Sequence, residues 1–420
     1  MNARPALPAD VLTAIGARLA DTDRLLATAY PGDAGTRQPV HTVYVPGDRY
    51  EPALPARWGR DALDAVAAAG GLEALAIDVG LAPSIAAEVA PLVERKLARE
   101  PIEDLRIDFE DGYGDRGDDA EDADAVRAAE GVAAAVAADA APPFIGIRFK
   151  SFEAATRVRG IRTLDLVVTT LVERGGLPDG LALTLPKVST VAQVEAMAEV
   201  VAALERVHGL PEGRLRFEVQ VETPQLVLGA DGTAPVARLA AAAPGRIAGL
   251  HYGTYDYSAA LGIAAPDQSL EHPAADHAKL VMQVAVAGTG IRLSDGSTNV
   301  LPVGDRAREA WRLHARLVRR ALERGFVQGW DLHPAQLPTR YLATYAYARE
   351  AYPAVAARLR HVHDRTAGAV LDEPATVRAL ARFVRRGVDC GAITTAEVAA
   401  DTGLDDGTLA EWASPRRTTG

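Results

Sequence analysis

Eight short apolar runs, separated by stretches with helical spacing, organise this chain. They read "HTVYVPGD" (from His41), "LRIDFEDG" (Leu105), "FIGIRFK" (Phe144), "LALTLPKV" (Leu181), "LRFEVQVET" (Leu215), "IAGLHYGTYD" (Ile247), "IRLSDG" (Ile291) and "VQGWDLHP" (Val327). Alternation of apolar strand runs with helical segments is the pattern of a parallel sheet. The clearest step follows Lys187. Thr190 and Gln193 fit a capping box, Val191, Val194, Met197, Val201 and Leu204 mark one helical face, and "GLPEG" from Gly209 stops the helix. Near the start, Val11, Leu12, Ile15, Leu19, Leu25 and Leu26 predict a helix over 9–29, ended by Pro31-Gly32. After Ala343 the strands cease, and helical segments with breaks at Pro353, Pro374 and Gly391 follow. The expected fold is α/β, a (β/α)8 TIM barrel over 1–344 with an N-terminal helical arm, and a C-terminal helical extension over 345–420.

Composition narrows the classes. The 420 residues exceed the roughly 250 of a barrel, which leaves room for both additions. A net charge of −11 disfavours nucleic acid and anionic membrane as partners. The single cysteine, Cys390, excludes a disulfide framework within one chain. The start "MNARPALPADVL" has no apolar signal region, and no apolar stretch approaches a membrane span of roughly 20 residues. A cytoplasmic, homo-oligomeric enzyme of small molecules is the expectation.

Seven of the runs end in a charged or titratable residue, and barrel active sites form at the C-terminal ends of the strands. The mouth should therefore gather Asp108, Glu110, Asp111, Arg148, Lys187, Glu222, Asp256, Asp295 and His333. In "FEVQVET" strand alternation puts Glu218, Gln220 and Glu222 on the inward side. Glu222, nearest the mouth, is the expected metal ligand and Glu218 a buried structural partner. Asp256 ends the neighbouring run and is the second expected ligand, with a turn or helix cap as the plain alternative. Oxygen ligands of this kind suit Mg²⁺ (or Mn²⁺). Gly253 permits close backbone approach beside them. Asp108, Glu110 and Asp111 repel one another unless a cation or protons intervene, so they either bond metal-bound water or pair with Arg148 and Lys187. The planar fork of Arg148 suits a carboxylate or enolate oxygen, or a structural ion pair. Lys187 could serve as a Schiff-base nucleophile, an electrostatic group or an ion-pair member, the last two together being favoured. His333 is either a substrate-binding or orienting group or a structural histidine, and Asp295-Gly296 either a substrate contact or a turn.

Taken in order, "YVPGD", "IDFEDGY", "GIRF", "LPKV", "VETPQ", "YGTYDYSAALG", "LSDG" and "LHPAQL" resemble the motifs of the citrate lyase beta-chain family, with malyl-CoA lyases and related 2-oxo acid aldolases, in the phosphoenolpyruvate/pyruvate-binding barrel superfamily. The likeness spans about Thr42 to Leu337. It implies Glu222 and Asp256 as Mg²⁺ ligands, Arg148 on the substrate carboxylate or carbonyl oxygen, and Glu110 and Asp111 ordering metal-bound water. The Glu110-Asp111 pair fits the citrate-lyase-like branch better than the aldolases that carry Glu-His there. Lys150 departs from the pattern, because an asparagine is usual close by.

These features lead to a Mg²⁺-dependent carbon–carbon lyase or aldolase acting on a 2-oxo acid, a beta-hydroxy acid or an acyl-CoA through a stabilised enolate. The base is a metal-bound hydroxide, His333 or a carboxylate of a neighbouring subunit. A Schiff-base aldolase using Lys187 and a non-catalytic metabolite-binding barrel are the competing readings. The arginines of "TRVRGIR" (Arg157, Arg159, Arg162) either meet phosphates or are surface charges. The rhythm of "ITTAEVAADTGLDDGTLAEWA" resembles a helix-turn-helix, but Asp405, Asp406 and Glu411 on its second helix would repel phosphate.

Overall fold

The structure, a computed structural model, describes residues 6–364 and 373–414. Positions 365–372 and 415–420 of the expected C-terminal extension lie outside the described residues. Each of the eight apolar runs contains a strand: β1 (His41–Pro46), β2 (Asp104–Asp108), β3 (Phe144–Arg148), β4 (Leu181–Leu185), β5 (Phe217–Val221), β6 (Ile247–Tyr252), β7 (Arg292–Ser294) and β8 (Gly329–Asp331). They form one parallel sheet in the order β7-β6-β5-β4-β3-β2-β1-β8. The circle closes between β7 and β8 through the Ser294–Gln328 bridge, with Asp295 N–H donating to Gln328 O at 2.8 Å and Trp330 N–H to Gly296 O at 3.1 Å. The fold is the expected (β/α)8 barrel.

Strand parity explains why the runs alternate rather than read as uniformly apolar. Val43, Leu105, Ile107, Ile147, Leu183, Leu185, Val219 and Val221 face outward and are fully buried under the helices. The inward set is polar and equally buried: Thr42, Asp104, Arg106, Thr184, Glu218, Gln220 and His251. Burying charge costs several kcal/mol per ion unless partners compensate, and here they do. Arg106 bonds Asp104, Glu218 Oε2 (2.6 Å) and Thr184 Oγ1 (2.9 Å), and His251 Nε2 lies 3.2 Å from Glu218 Oε1. Glu218 is thus the structural partner expected from its depth. Arg106 was not singled out, although "DLRID" places Asp104, Arg106 and Asp108 on one strand face.

The helix Val191–His208 begins with the anticipated capping box at Thr190 and Gln193, and ends at Gly209 in the left-handed region (φ 63°). The N-terminal helix runs Ala9–Ala29, yet none of its residues is buried. A break at Pro353 is corrected: one helix continues from Leu337 to His363 through it. Proline removes one backbone bond there, but Tyr352, Ala356 and Leu359 bury on either side and hold the helix. Position 344/345 lies inside the same helix. Helices Pro374–Cys390, Thr395–Thr402 and Asp406–Ala413 follow, tied to it by Tyr345 Oη donating to Cys390 O (2.7 Å) and by the Arg349–Glu397 pair (2.7 Å). Gly403 (φ 78°) makes the turn of the helix-turn-helix-like segment, whose Val398, Thr402, Leu409 and Ala413 are buried in this packing. Among the described residues no helix is long and apolar enough to cross a membrane.

Candidate active site

The C-terminal ends of β2 to β6 bring a compact charged cluster together. Asp108, the last residue of β2, accepts the backbone N–H groups of Glu110 (3.0 Å) and Gly112 (2.9 Å) and both prongs of the Arg148 fork, Nε at 2.7 Å and Nη2 at 2.6 Å. A side chain at Gly112 would enter the space of the Asp108 carboxylate, so glycine is required at this turn. Arg148 ends β3, and its remaining nitrogen, Nη1, stands 3.3 Å from Glu110 Oε2. Its guanidinium lies over the ring of Tyr44 at 4.8 Å, a contact that sequence reasoning missed although Tyr44 sits inward in "HTVYVPGD". Arg148 is therefore locked in one orientation with Nη1 as the part left for a ligand.

Lys187 follows β4 with φ 52°, a conformation non-glycine residues rarely adopt. One backbone bond and two side-chain bonds follow at this residue. The Lys187 N–H donates to Glu222 Oε1 at 2.7 Å, and Nζ reaches Glu110 Oε1 and Asp111 Oδ1, the latter at 2.7 Å. Although burial opposes it, the carboxylates of Glu110 and Asp111 hold the Lys187 ammonium above its ordinary range. A Schiff-base nucleophile needs a neutral amine, so this environment suits an electrostatic role. Asp111, also against a burial effect, is held low by the Lys187 ammonium. Burial pushes Glu110 up, with Arg148 opposing and Asp111 adding.

Glu222, just past β5, is buried and pushed up to about 8. Burial is the largest cause, Arg148 pulls back, and the negative charges of Glu110 and Asp256 push further. Asp256 is exposed in the first turn of the helix Thr254–Ala260. Gly253, between β6 and that helix, leaves the volume that Glu222 fills, because a Cβ there would overlap the carboxylate. Gly253 is thus placed to shape Glu222. Among the described residues no group of three or more His, Cys, Asp or Glu side chains is arranged as a metal site. The pair Glu222 and Asp256 nevertheless fits a hard divalent cation. Its donors are all oxygen, the buried carboxylate has only one backbone partner, and surrounding like charge makes its ionised form costly.

Two expected residues do not join this cluster. Asp295 is buried against Lys279 of the helix Pro273–Val286 (3.1 Å) and accepts Gly296 N–H, so it turns into the outer layer. His333 accepts Ala335 N–H at 3.1 Å as a helix cap; burial lowers it, and the charge opposing that is Asp61. Arg159 and Arg162 pair with Asp122, and Lys150 pairs with Glu121 (2.6 Å) while donating to Phe109 O (2.9 Å), bracing the loop after β2. A surface cleft of about 830 Å³ lies away from the mouth beside Asp78, Arg312 and Glu350, where Arg312 is ion-paired to Asp78.

Comparison with solved structures gives the class of fold. A citrate lyase from Burkholderia xenovorans LB400 aligns with a TM-score of 0.54 at 22% identity, over 73% of this chain and 90% of that one. A malate synthase from Haloferax volcanii aligns with a TM-score of 0.50 at 15% identity, over 87% and 88%. At such identities the likeness is one of fold, and the barrel is of the type found in these two enzymes. By sequence, residues 19–417 match the family described as "Domain of unknown function (DUF6986)", and the chain belongs to that family. The finer likeness to the citrate lyase beta chain rests on the motifs above. No curated protein matches.

Proposed function

We propose that this protein is a divalent-metal-dependent carbon–carbon lyase or aldolase acting on a 2-oxo acid or its aldol or Claisen product. The observation that carries this reading is the buried Glu222, set beside Asp256 and Glu110 without a cationic side chain bonded to it, and opposite the locked Arg148. Glu222 and Asp256 would hold Mg²⁺ (or Mn²⁺), which supplies Lewis-acid stabilisation of developing oxygen charge. Arg148 Nη1 binds a substrate carboxylate or carbonyl oxygen; its fork is fixed on Asp108, so little reorganisation accompanies charge development. Glu110 and Asp111, fixed by Lys187, present acceptors at the rim for ordered water. The half-buried His333 is engaged as a cap, so the proton acceptor is better sought among carboxylates at the mouth or from a second subunit.

A thermal-shift screen tests this reading. Oxalate, pyruvate, glyoxylate, oxaloacetate and acetyl-CoA are each added with Mg²⁺ or with EDTA. The expected result is stabilisation by oxalate or an oxo acid that requires the metal and is lost in Glu222→Ala. Ligand binding that persists in EDTA, or borohydride trapping of an oxo acid on Lys187, overturns it.

A further inference from the structure

A second set of cations stands at the opposite, N-terminal end of the barrel. Strand parity turns Arg216, one residue ahead of β5, and Arg292, the first residue of β7, toward the barrel floor. Together with Arg214 they line a cavity of about 230 Å³. Among the described residues none of these three guanidiniums is ion-paired. Arg292 Nη2 donates to Thr36 O (3.1 Å) and Thr36 Oγ1 (2.5 Å), and its guanidinium lies 5.9 Å from the Phe144 ring centre. Arg216 donates to Ile247 O (3.3 Å), and Arg214 to Leu177 O (3.0 Å) and Pro178 O (2.5 Å).

Among the described residues the carboxylates of the other walls make no ion pair with them. Asp104 and Glu218 line the cavity but are engaged by Arg106, which leaves the exposed Asp179 as the unpaired carboxylate. Arg37 lines it too; its guanidinium is paired with Glu100 and Glu103, and only its Nε is a buried donor with no partner. Burial lowers Arg292 from its ordinary value; Asp33 opposes this, the like charge of Arg216 adds to it, and Glu218 and Asp104 oppose it further. Each guanidinium carries five N–H donors, and the carbonyl bonds use only part of them. In a chain of net charge −11, this concentration of unpaired arginine runs against the overall balance.

We propose that this cavity is a binding site for a small phosphate-class oxyanion, gripped by Arg292 and Arg216 with Arg214 at the rim. Several converging guanidiniums match an anion that has three or more acceptor oxygens. The site lies on the barrel floor, remote from Glu222, so its ligand does not compete with substrate at the mouth. Free phosphate and the phosphoryl group of a metabolite share this chemistry.

The test is the melting temperature of the full chain in EDTA with inorganic phosphate, pyrophosphate, glycerol phosphate or citrate, against sodium chloride at matched ionic strength. A saturable rise with at least one phosphate compound is expected; inorganic phosphate or glycerol phosphate giving the larger rise identifies the source. In Arg216→Gln, an exposed position that should fold normally, the apparent affinity falls about tenfold or more, and Arg292→Gln behaves alike. The proposal is overturned by shifts no larger than those of sodium chloride, by equal stabilisation with citrate, or by full retention in Arg216→Gln. Stabilisation by oxalate with Mg²⁺ stays intact in Arg216→Gln, which separates this site from the mouth.

Discussion

On the proposed function, Glu222 ties metal binding to pH. In the metal-free protein its carboxyl sits at about 8 instead of the ordinary 4.5. That difference corresponds to destabilisation on the order of 5 kcal/mol for the ionised form. The sign follows directly. Below pH 4.5 the folded and unfolded chains both carry the proton, so no stability is lost. Between 4.5 and 8 the unfolded chain ionises while the folded one does not, and stability falls; above 8 the loss is complete. A divalent cation requires the carboxylate, so binding displaces the proton. About 1% of Glu222 is ionised at pH 6 and about half at pH 8, so apparent affinity should tighten about 50-fold between them, most steeply below pH 7, and level off above. Calorimetric titration with Mg²⁺ or Mn²⁺ in buffers of different ionisation enthalpy reads both quantities, and close to one proton should be released per ion at pH 7. Glu222→Gln keeps an acceptor for the Lys187 N–H but removes the charge. It should melt higher than wild type at pH 8 without metal, and lose metal stabilisation altogether. An affinity that is flat from pH 6 to 8 with no proton released refutes the reasoning, as does a Glu222→Gln protein that still binds the ion.

Three further outcomes follow from specific contacts. Arg148→Lys breaks the two-pronged bond to Asp108; we expect a loss of about 2–4 kcal/mol in urea unfolding and at least tenfold weaker oxalate binding with Mg²⁺. Gly253→Ala drives a methyl group into the Glu222 carboxylate, so metal affinity should drop at least tenfold while the far-UV spectrum stays native; unchanged affinity removes Gly253 from the site. Asp331→Asn leaves His41, His314 and the buried Arg340 without their shared carboxylate where β8 meets β1, which should cost about 3–5 kcal/mol in urea unfolding with metal affinity preserved; an unmoved midpoint contradicts that assignment.

What could be read in the residue order was whatever follows from period. Alternation located all eight strands and assigned the inward and outward faces of "FEVQVET", because the outer helices demand apolar contacts from every second residue. It also made Arg106 legible in principle, since "DLRID" shows the same parity as "FEVQV". Side-chain partners were less accessible. Asp295 and His333 stand at strand ends like the clustered residues, yet Lys279 from an outer helix captures one and a backbone N–H the other. Neither contact leaves a trace in local spacing. The helix Ala9–Ala29 has the right period but buries nothing, so amphipathic spacing established its conformation without its partner. Pro353 failed as a break because proline costs one bond and burial of the flanking residues offsets it.

The strongest distinction among the inward acidic residues is between the glutamates near the two ends of β5. Glu218 and Glu222 are four residues apart, about 13 Å along β5, and both are buried. Sequence parity cannot separate them, since both point inward. The structure separates them by compensation. Although burial opposes it, Arg106 and His251 hold Glu218 well below the ordinary carboxylate range, so its charge is answered inside the protein. Glu222 has one backbone N–H, two neighbouring carboxylates and only the unbonded Arg148 acting in favour of its charge. A buried carboxylate that satisfies itself stabilises a fold, whereas one placed among like charges is costly without a cation or a proton. That asymmetry, more than the count of acidic residues, is the reason to place the chemistry at Glu222.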